Sequence, residues 1–150
     1  MKKSIKILIA FSALVLFSNC SSEEKHTETQ TEEVTVIQTE NEEGTMVTTK
    51  TVDMDPTAFM EKLKELDGVL IDVRTPGEFE AGAIEGATNI DFNGGNFESE
   101  IESLDKDKPT FVYCMHGGRS SAAMQTMHDK GFKEVYNLIG GYSAYSEMNP

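Results

Sequence analysis

Three short runs of apolar residues in the second half of the chain predict buried strands. Residues 69–73 and 111–113 are almost uninterrupted by polar side chains, and residues 135–138 form a similar run. Strands of a parallel sheet covered on both faces have this composition, because neither side of the strand meets water. These runs therefore predict the centre of a largely parallel sheet.

Segments with helical character lie between these runs. Residues 56–66 place Phe59 and Leu63 on one helical face, and Asp55, just before the segment, is typical of a helix N-cap. A segment rich in good helix formers follows the second strand up to about residue 130. Strands that alternate with helices indicate an α/β domain, with helices flanking a central sheet on both faces.

The first 52 residues have a different composition. Residues 1–20 begin with lysines and continue with a mostly apolar run that is short for a membrane span, which is typical of a signal peptide. Residues 21–52 are dominated by Thr and Glu, with eight acidic and two basic side chains. So polar a segment buries too little surface to offset its ordering entropy, and it predicts a flexible tether. The folded domain is then expected at residues 53–150.

Cys20, at the end of the signal segment, resembles the lipid-bearing cysteine of bacterial lipoproteins. The preceding Phe17, Ser18 and Asn19 depart from the usual motif, in which Leu and small residues are preferred. The resemblance implies a lipid on Cys20 and membrane attachment through it. The expected location is the bacterial cell envelope, at the periplasmic or outer-membrane surface. An uncleaved anchor and an ordinary signal peptide are the alternatives.

Composition narrows the range of functions. The chain of 150 residues has a formal net charge of −13, which disfavours nucleic-acid binding because phosphate contacts need clustered Lys and Arg. It contains only two cysteines, Cys20 and Cys114, so neither a zinc cluster nor a disulfide framework is expected. We predict no metal and no cofactor. The sequence gives no indication of the oligomeric state.

Cys114 stands where a predicted strand gives way to a glycine loop and a helix. In this arrangement the N–H groups of the loop and of the first helical turn point toward the thiol and favour its thiolate form. Gly117 and Gly118 allow backbone angles that other residues avoid. Arg119 lies five residues after the cysteine, close enough to close the loop over an anion. The segment therefore predicts a reactive cysteine, the alternative being a buried, inert one.

The loop resembles the active-site loop of single-domain rhodanese sulfurtransferases. The resemblance implies that Cys114 is the catalytic residue, that Met115 and His116 line the entrance, and that the rest of the loop cradles an anionic persulfide. The implied cradle consists of Met115, His116, Gly117, Gly118, Arg119 and Ser120.

A second block, residues 72–90, also resembles the rhodanese family. It contains four elements that the family shares: Asp72-Val73-Arg74, Glu78-Phe79, Gly86-Ala87 and Asn89-Ile90. Ala83 occupies a position where the family usually has a histidine of structural importance. For Asp72, Arg74 and Glu78 we predict ion pairing and hydrogen bonding that fix the loops beside the sheet, rather than acid–base catalysis.

The resemblance implies a transferase that moves sulfane sulfur from a donor such as thiosulfate to a thiophilic acceptor, cyanide or a thiol, through a persulfide on Cys114. Its partners would be the small sulfur donor and the acceptor. A phosphatase or arsenate reductase is an alternative, although that branch uses a loop one residue longer. A non-catalytic binding module is another. A metal site formed by Cys114, His116 and His128 is poorly supported, because the ligands are too few.

Overall fold

The computed structural model describes residues 33–40 and 46–148. In those residues the chain forms six strands and five helices. The strands are β1 (Glu33–Glu40), β2 (Met46–Met54), β3 (Val69–Asp72), β4 (Thr88–Asn89), β5 (Thr110–Tyr113) and β6 (Glu134–Leu138). The helices are α1 (Pro56–Leu66), α2 (Pro76–Glu80), α3 (Phe97–Ile101), α4 (Gly118–Asp129) and α5 (Gly141–Met148).

These strands form one sheet in the order β1-β2-β6-β5-β3-β4. β1 and β2 pair antiparallel, and the other neighbouring pairs are parallel. The three runs predicted from the sequence form β3, β5 and β6, with β5 between the other two. The predicted α/β fold with a largely parallel central sheet is therefore confirmed.

Helices cover both faces of this sheet, and each face has its own apolar core. Successive strand residues point to opposite faces, so the buried residues 111–113 of β5 supply both cores. The core under α3 and α4 includes Ile71, Ile101, Val112, Ala123, Met127 and Val135. The core under α1 and α5 includes Val52, Phe59, Leu70, Phe111, Tyr136 and Leu138.

The structure differs from the sequence prediction before residue 53. The prediction assigned residues 21–52 to a tether, but β1 and most of β2 lie within that range. β2 pairs in parallel with β6, where Val52 lies opposite Tyr136, and the Val52 side chain is buried. The difference has a physical reason: alternating Thr and Val residues favour strands, and pairing with the edge of an existing sheet satisfies the backbone without a large apolar surface.

Several predictions concern residues outside the described part of the chain. The signal segment, Cys20 and residues 21–32 and 41–45 belong to this group. Among residues 33–40 and 46–148, no helix combines the length and the apolar character that crossing a bilayer requires.

Candidate active site

Cys114 directly follows β5, a central strand, and lies at the carboxyl end of the parallel strands. Its side chain is buried, and the loop after it leads within three residues to Gly118, the first residue of α4. Gly117 has a φ of 99°, in the left-handed region that favours glycine, and it turns the loop back toward the sulfur. The strand, loop and helix predicted around the cysteine are thus formed.

Hydrogen-bond donors surround the sulfur of Cys114. The Gly117 N–H donates to Sγ over 3.1 Å, and the hydroxyl of the buried Ser120 lies 3.5 Å from it. Burial alone raises the pKa of this thiol. The Ser120 hydroxyl and the N–H groups of Ser120, His116 and Gly117 outweigh burial, so that the pKa is lowered. The loop therefore favours the nucleophilic thiolate.

Replacing Ser120 with alanine is expected to raise the pKa of Cys114, because the largest stabilising contribution to the thiolate is lost. The pH profile of Cys114 alkylation by iodoacetamide would then move to higher pH, and alkylation near neutral pH would slow several-fold. Ser121→Ala is the matched control, since Ser121 is exposed on the same helix. Identical profiles for the two variants would contradict a role of Ser120 in thiolate stabilisation.

The first turn of α5 holds the cysteine loop from the other side. The Tyr142 N–H donates to the Cys114 carbonyl over 2.8 Å, and the Ser143 N–H donates to the Met115 carbonyl over 3.1 Å. Gly141 makes this approach possible, because a Cβ there would lie 2.3 Å from the Cys114 carbonyl oxygen. The sequence predicts a short final helix opened by this Gly-Gly-Tyr element, which also resembles the rhodanese family, but it did not assign these three residues to the site.

Met115 and His116 lie at the outer side of the loop. Met115 is half-buried and His116 is exposed. The Nδ1 atom of His116 lies 3.1 Å from the Ser143 hydroxyl, which links it to α5. His128 is on the last turn of α4, and ten residues of helix at about 1.5 Å each separate it from the start of that helix. The structure does not bring His128 to the loop.

Arg119 makes a bidentate ion pair with Glu78. The Nη1 and Nη2 groups of Arg119 donate to the two carboxylate oxygens of Glu78, each over 2.7 Å. This pairing is the main cause that lowers the pKa of Glu78 to about 2. The same pairing raises the pKa of Arg119. The nearby Cys114 thiolate raises this pKa as well, but by less than Glu78 does. Arg119 therefore interacts with the Glu78 carboxylate and, more weakly, with the Cys114 sulfur.

Asp72 and Arg74 form a second ion pair, which is fully buried beside the loop. The Arg74 Nη2 group donates to the Asp72 carboxylate and to the Gly82 carbonyl, each over 2.6 Å. The guanidinium also stacks over the Tyr142 ring, 4.3 Å from its centroid. The pair thus links the segments after β3 and α2 to α5, which in turn holds the loop of Cys114.

Comparisons with known proteins all relate this chain to rhodanese-like proteins. The family model described as a rhodanese-like domain matches residues 55–148. The thiosulfate sulfurtransferase GlpE of Coxiella burnetii is 37% identical over 90 residues, which cover 60% of this chain and 82% of that protein. GlpE of Shewanella oneidensis is 40% identical over 80 residues, covering 53% of this chain and 77% of that protein.

A solved structure supports the same relationship. The crystal structure of a rhodanese-related protein from Thermoplasma volcanium has a TM-score of 0.57 and 28% sequence identity, and the match covers 64% of this chain and 91% of that chain. The family match includes the Cys114 loop and the block that contains Asp72 and Arg74. With relatives named as thiosulfate sulfurtransferases, it supports sulfurtransferase activity at the level of the family. The chain belongs to the rhodanese-like domain family.

Proposed function

We propose that this protein is a sulfurtransferase that moves sulfane sulfur from a donor such as thiosulfate to cyanide or a thiol. The observation that carries the proposal is the environment of Cys114, a buried thiol whose pKa is lowered by the Ser120 hydroxyl and by loop N–H groups despite its burial. A thiolate at the carboxyl end of a parallel strand, surrounded by N–H donors, suits a nucleophile that alternates between thiolate and anionic persulfide.

In the proposed first step, the Cys114 thiolate attacks the outer sulfur of thiosulfate. A bond forms between Sγ and that sulfur, the S–S bond of thiosulfate breaks, and sulfite leaves with the bonding electron pair. The enzyme then holds a persulfide on Cys114. In the second step, cyanide attacks the terminal sulfur, thiocyanate leaves, and the Cys114 thiolate is restored.

The loop supports this cycle without a general base. Neither step needs a proton to be removed, because the thiolate, the persulfide and cyanide react as anions. We assign the N–H groups of His116, Gly117 and Ser120 to stabilisation of the negative sulfur, since they already lower the pKa of the thiol. Met115 and His116, at the outer side of the loop, would contact the donor and acceptor.

We further propose that the chain is attached to the bacterial cell envelope through a lipid on Cys20. The lysine-rich start, the short apolar run and the cysteine that ends it support this proposal. Residues 21–32 would then connect the lipid to β1.

The order of the two steps gives a kinetic test. Initial rates of thiocyanate formation, measured with thiosulfate and cyanide both varied, are expected to give parallel lines in double-reciprocal plots, because sulfite leaves before cyanide reacts. Intersecting lines would contradict a persulfide intermediate. No thiocyanate formation from folded protein would contradict this donor and acceptor pair.

A further inference from the structure

The arginine that would attract an anionic donor is already engaged by Glu78. Both terminal nitrogens of the Arg119 guanidinium donate to the Glu78 carboxylate over 2.7 Å. Glu78 is itself fixed, since one of its oxygens also accepts from the N–H and the hydroxyl of Thr75, over 3.1 and 2.9 Å. An arginine binds an oxyanion through two parallel N–H donors. In Arg119 these donors are already occupied by a carboxylate of the protein itself.

This pairing determines the charge that a donor meets. Glu78, Arg119 and the Cys114 thiolate together carry one negative charge, whereas the arginine and the thiolate alone would be neutral. Side chains from residue 53 onward add to the repulsion, with eighteen acidic against eight basic groups. An approaching dianion is disfavoured more strongly than a monoanion, because the electrostatic energy scales with the charge of the donor.

We propose that Glu78 is a specificity-determining residue that, by occupying Arg119, makes the protein prefer sulfur donors with a single negative charge over thiosulfate, which has two. Donors of the thiosulfonate class have this charge. The inference rests on the proposed sulfurtransferase function and names its donor class. Glu78 acts through Arg119 and takes no part in the sulfur transfer itself.

A thiosulfonate reacts by the same chemistry as thiosulfate. The Cys114 thiolate attacks the outer sulfur of methanethiosulfonate, the S–S bond breaks, and methanesulfinate leaves with the electron pair. The persulfide that forms is identical in the two reactions. The donors thus share the bond that breaks but differ by one unit of charge, which makes them a matched pair of probes.

The test compares kcat/KM for thiosulfate and for sodium methanethiosulfonate, with cyanide as acceptor, in wild type and in Glu78→Gln. Glutamine preserves the shape of the side chain and can still accept a hydrogen bond at the start of α2, where Thr75 and Glu78 form a capping box. We expect kcat/KM for thiosulfate to rise about tenfold, mainly through a lower KM, and that for methanethiosulfonate to change much less.

Glu80→Gln is the charge-matched control, because Glu80 is exposed on the same helix and its replacement removes the same charge. It should leave the preference between the two donors unchanged. In an Arg119→Met background, Glu78→Gln should have a smaller effect than in the wild type, since only the repulsion by Glu78 is removed and no guanidinium becomes free to bind the donor.

Equal changes for the two donors in Glu78→Gln, or equal effects of Glu78→Gln and Glu80→Gln, would overturn the inference while leaving the sulfurtransferase function intact. An undiminished effect in the Arg119→Met background would also overturn it. If neither donor yields thiocyanate with the wild-type protein, the proposed function itself fails and the inference fails with it. Thiocyanate formation by the wild type therefore separates the two failures.

Discussion

Arg74→Met is expected to lower the free energy of unfolding by about 3–5 kcal/mol, because it leaves the Asp72 carboxylate buried without its cation. Asp72 and Arg74 are 0% and 1% exposed, so water cannot replace the lost partner. Arg74 donates to the carboxylate through Nε and Nη2, and Nη2 also binds the Gly82 carbonyl. Urea unfolding monitored by circular dichroism measures the loss.

Two further variants show whether the buried charge is the cause. Asp72→Asn in the Arg74→Met background should recover part of the stability, since an amide carries no unpaired charge. Lys133→Met breaks the exposed ion pair with Asp107 and should have little effect. A loss for Arg74→Met no larger than that for Lys133→Met would contradict the importance of the buried pair.

Gly141→Ala is expected to disrupt the cysteine loop and to cost about 2–5 kcal/mol of stability, because backbone strain and overpacking add at one position. Gly141 has a φ of 60°, and a Cβ there would lie 2.3 Å from the Cys114 carbonyl oxygen and 2.7 Å from the Met115 carbonyl carbon and oxygen. These atoms belong to backbone that Tyr142 and Ser143 hold by hydrogen bonds. The added methyl group must therefore push the loop away from α5.

Cys114 in the displaced loop should also transfer sulfur more slowly. Sulfur transfer is expected to fall about 100-fold, the effect of moving a reacting group by roughly 1 Å. Gly77→Ala is the matched control, since nothing lies within 4 Å of a Cβ at this helical position. It should leave activity unchanged and should not reduce stability. Wild-type turnover in Gly141→Ala would show that α5 does not position the loop.

Local sequence patterns were sufficient to predict the centre of the fold and the cysteine loop. Short apolar runs identify β3, β5 and β6, because strands covered on both faces show little alternation. The change from strand to glycine loop to helix occurs within a few residues around Cys114, so local residue preferences determine it. The fold class followed from the same alternation of strands and helices.

The sequence was less informative where structure depends on distant residues. Arg119 and Glu78 are 41 residues apart, and no local pattern indicates that the arginine predicted to face an anion is paired with a carboxylate. The packing of Gly141 against the Cys114 carbonyl is likewise a contact between separate elements. β1 and β2 are polar enough to resemble a tether, and their pairing depends on the edge that β6 offers.

Intact-protein mass spectrometry after treatment with thiosulfate tests the central claim most directly, because it detects the persulfide itself. The wild-type protein is expected to gain the mass of one sulfur atom and to lose it again on addition of cyanide. Cys114→Ser should gain nothing, since a hydroxyl does not form the persulfide. Where thiosulfate reacts slowly, sodium methanethiosulfonate delivers the same sulfur. Folded wild-type protein that gains no sulfur from either donor, or Cys114→Ser that gains as much as wild type, would contradict sulfur transfer through Cys114.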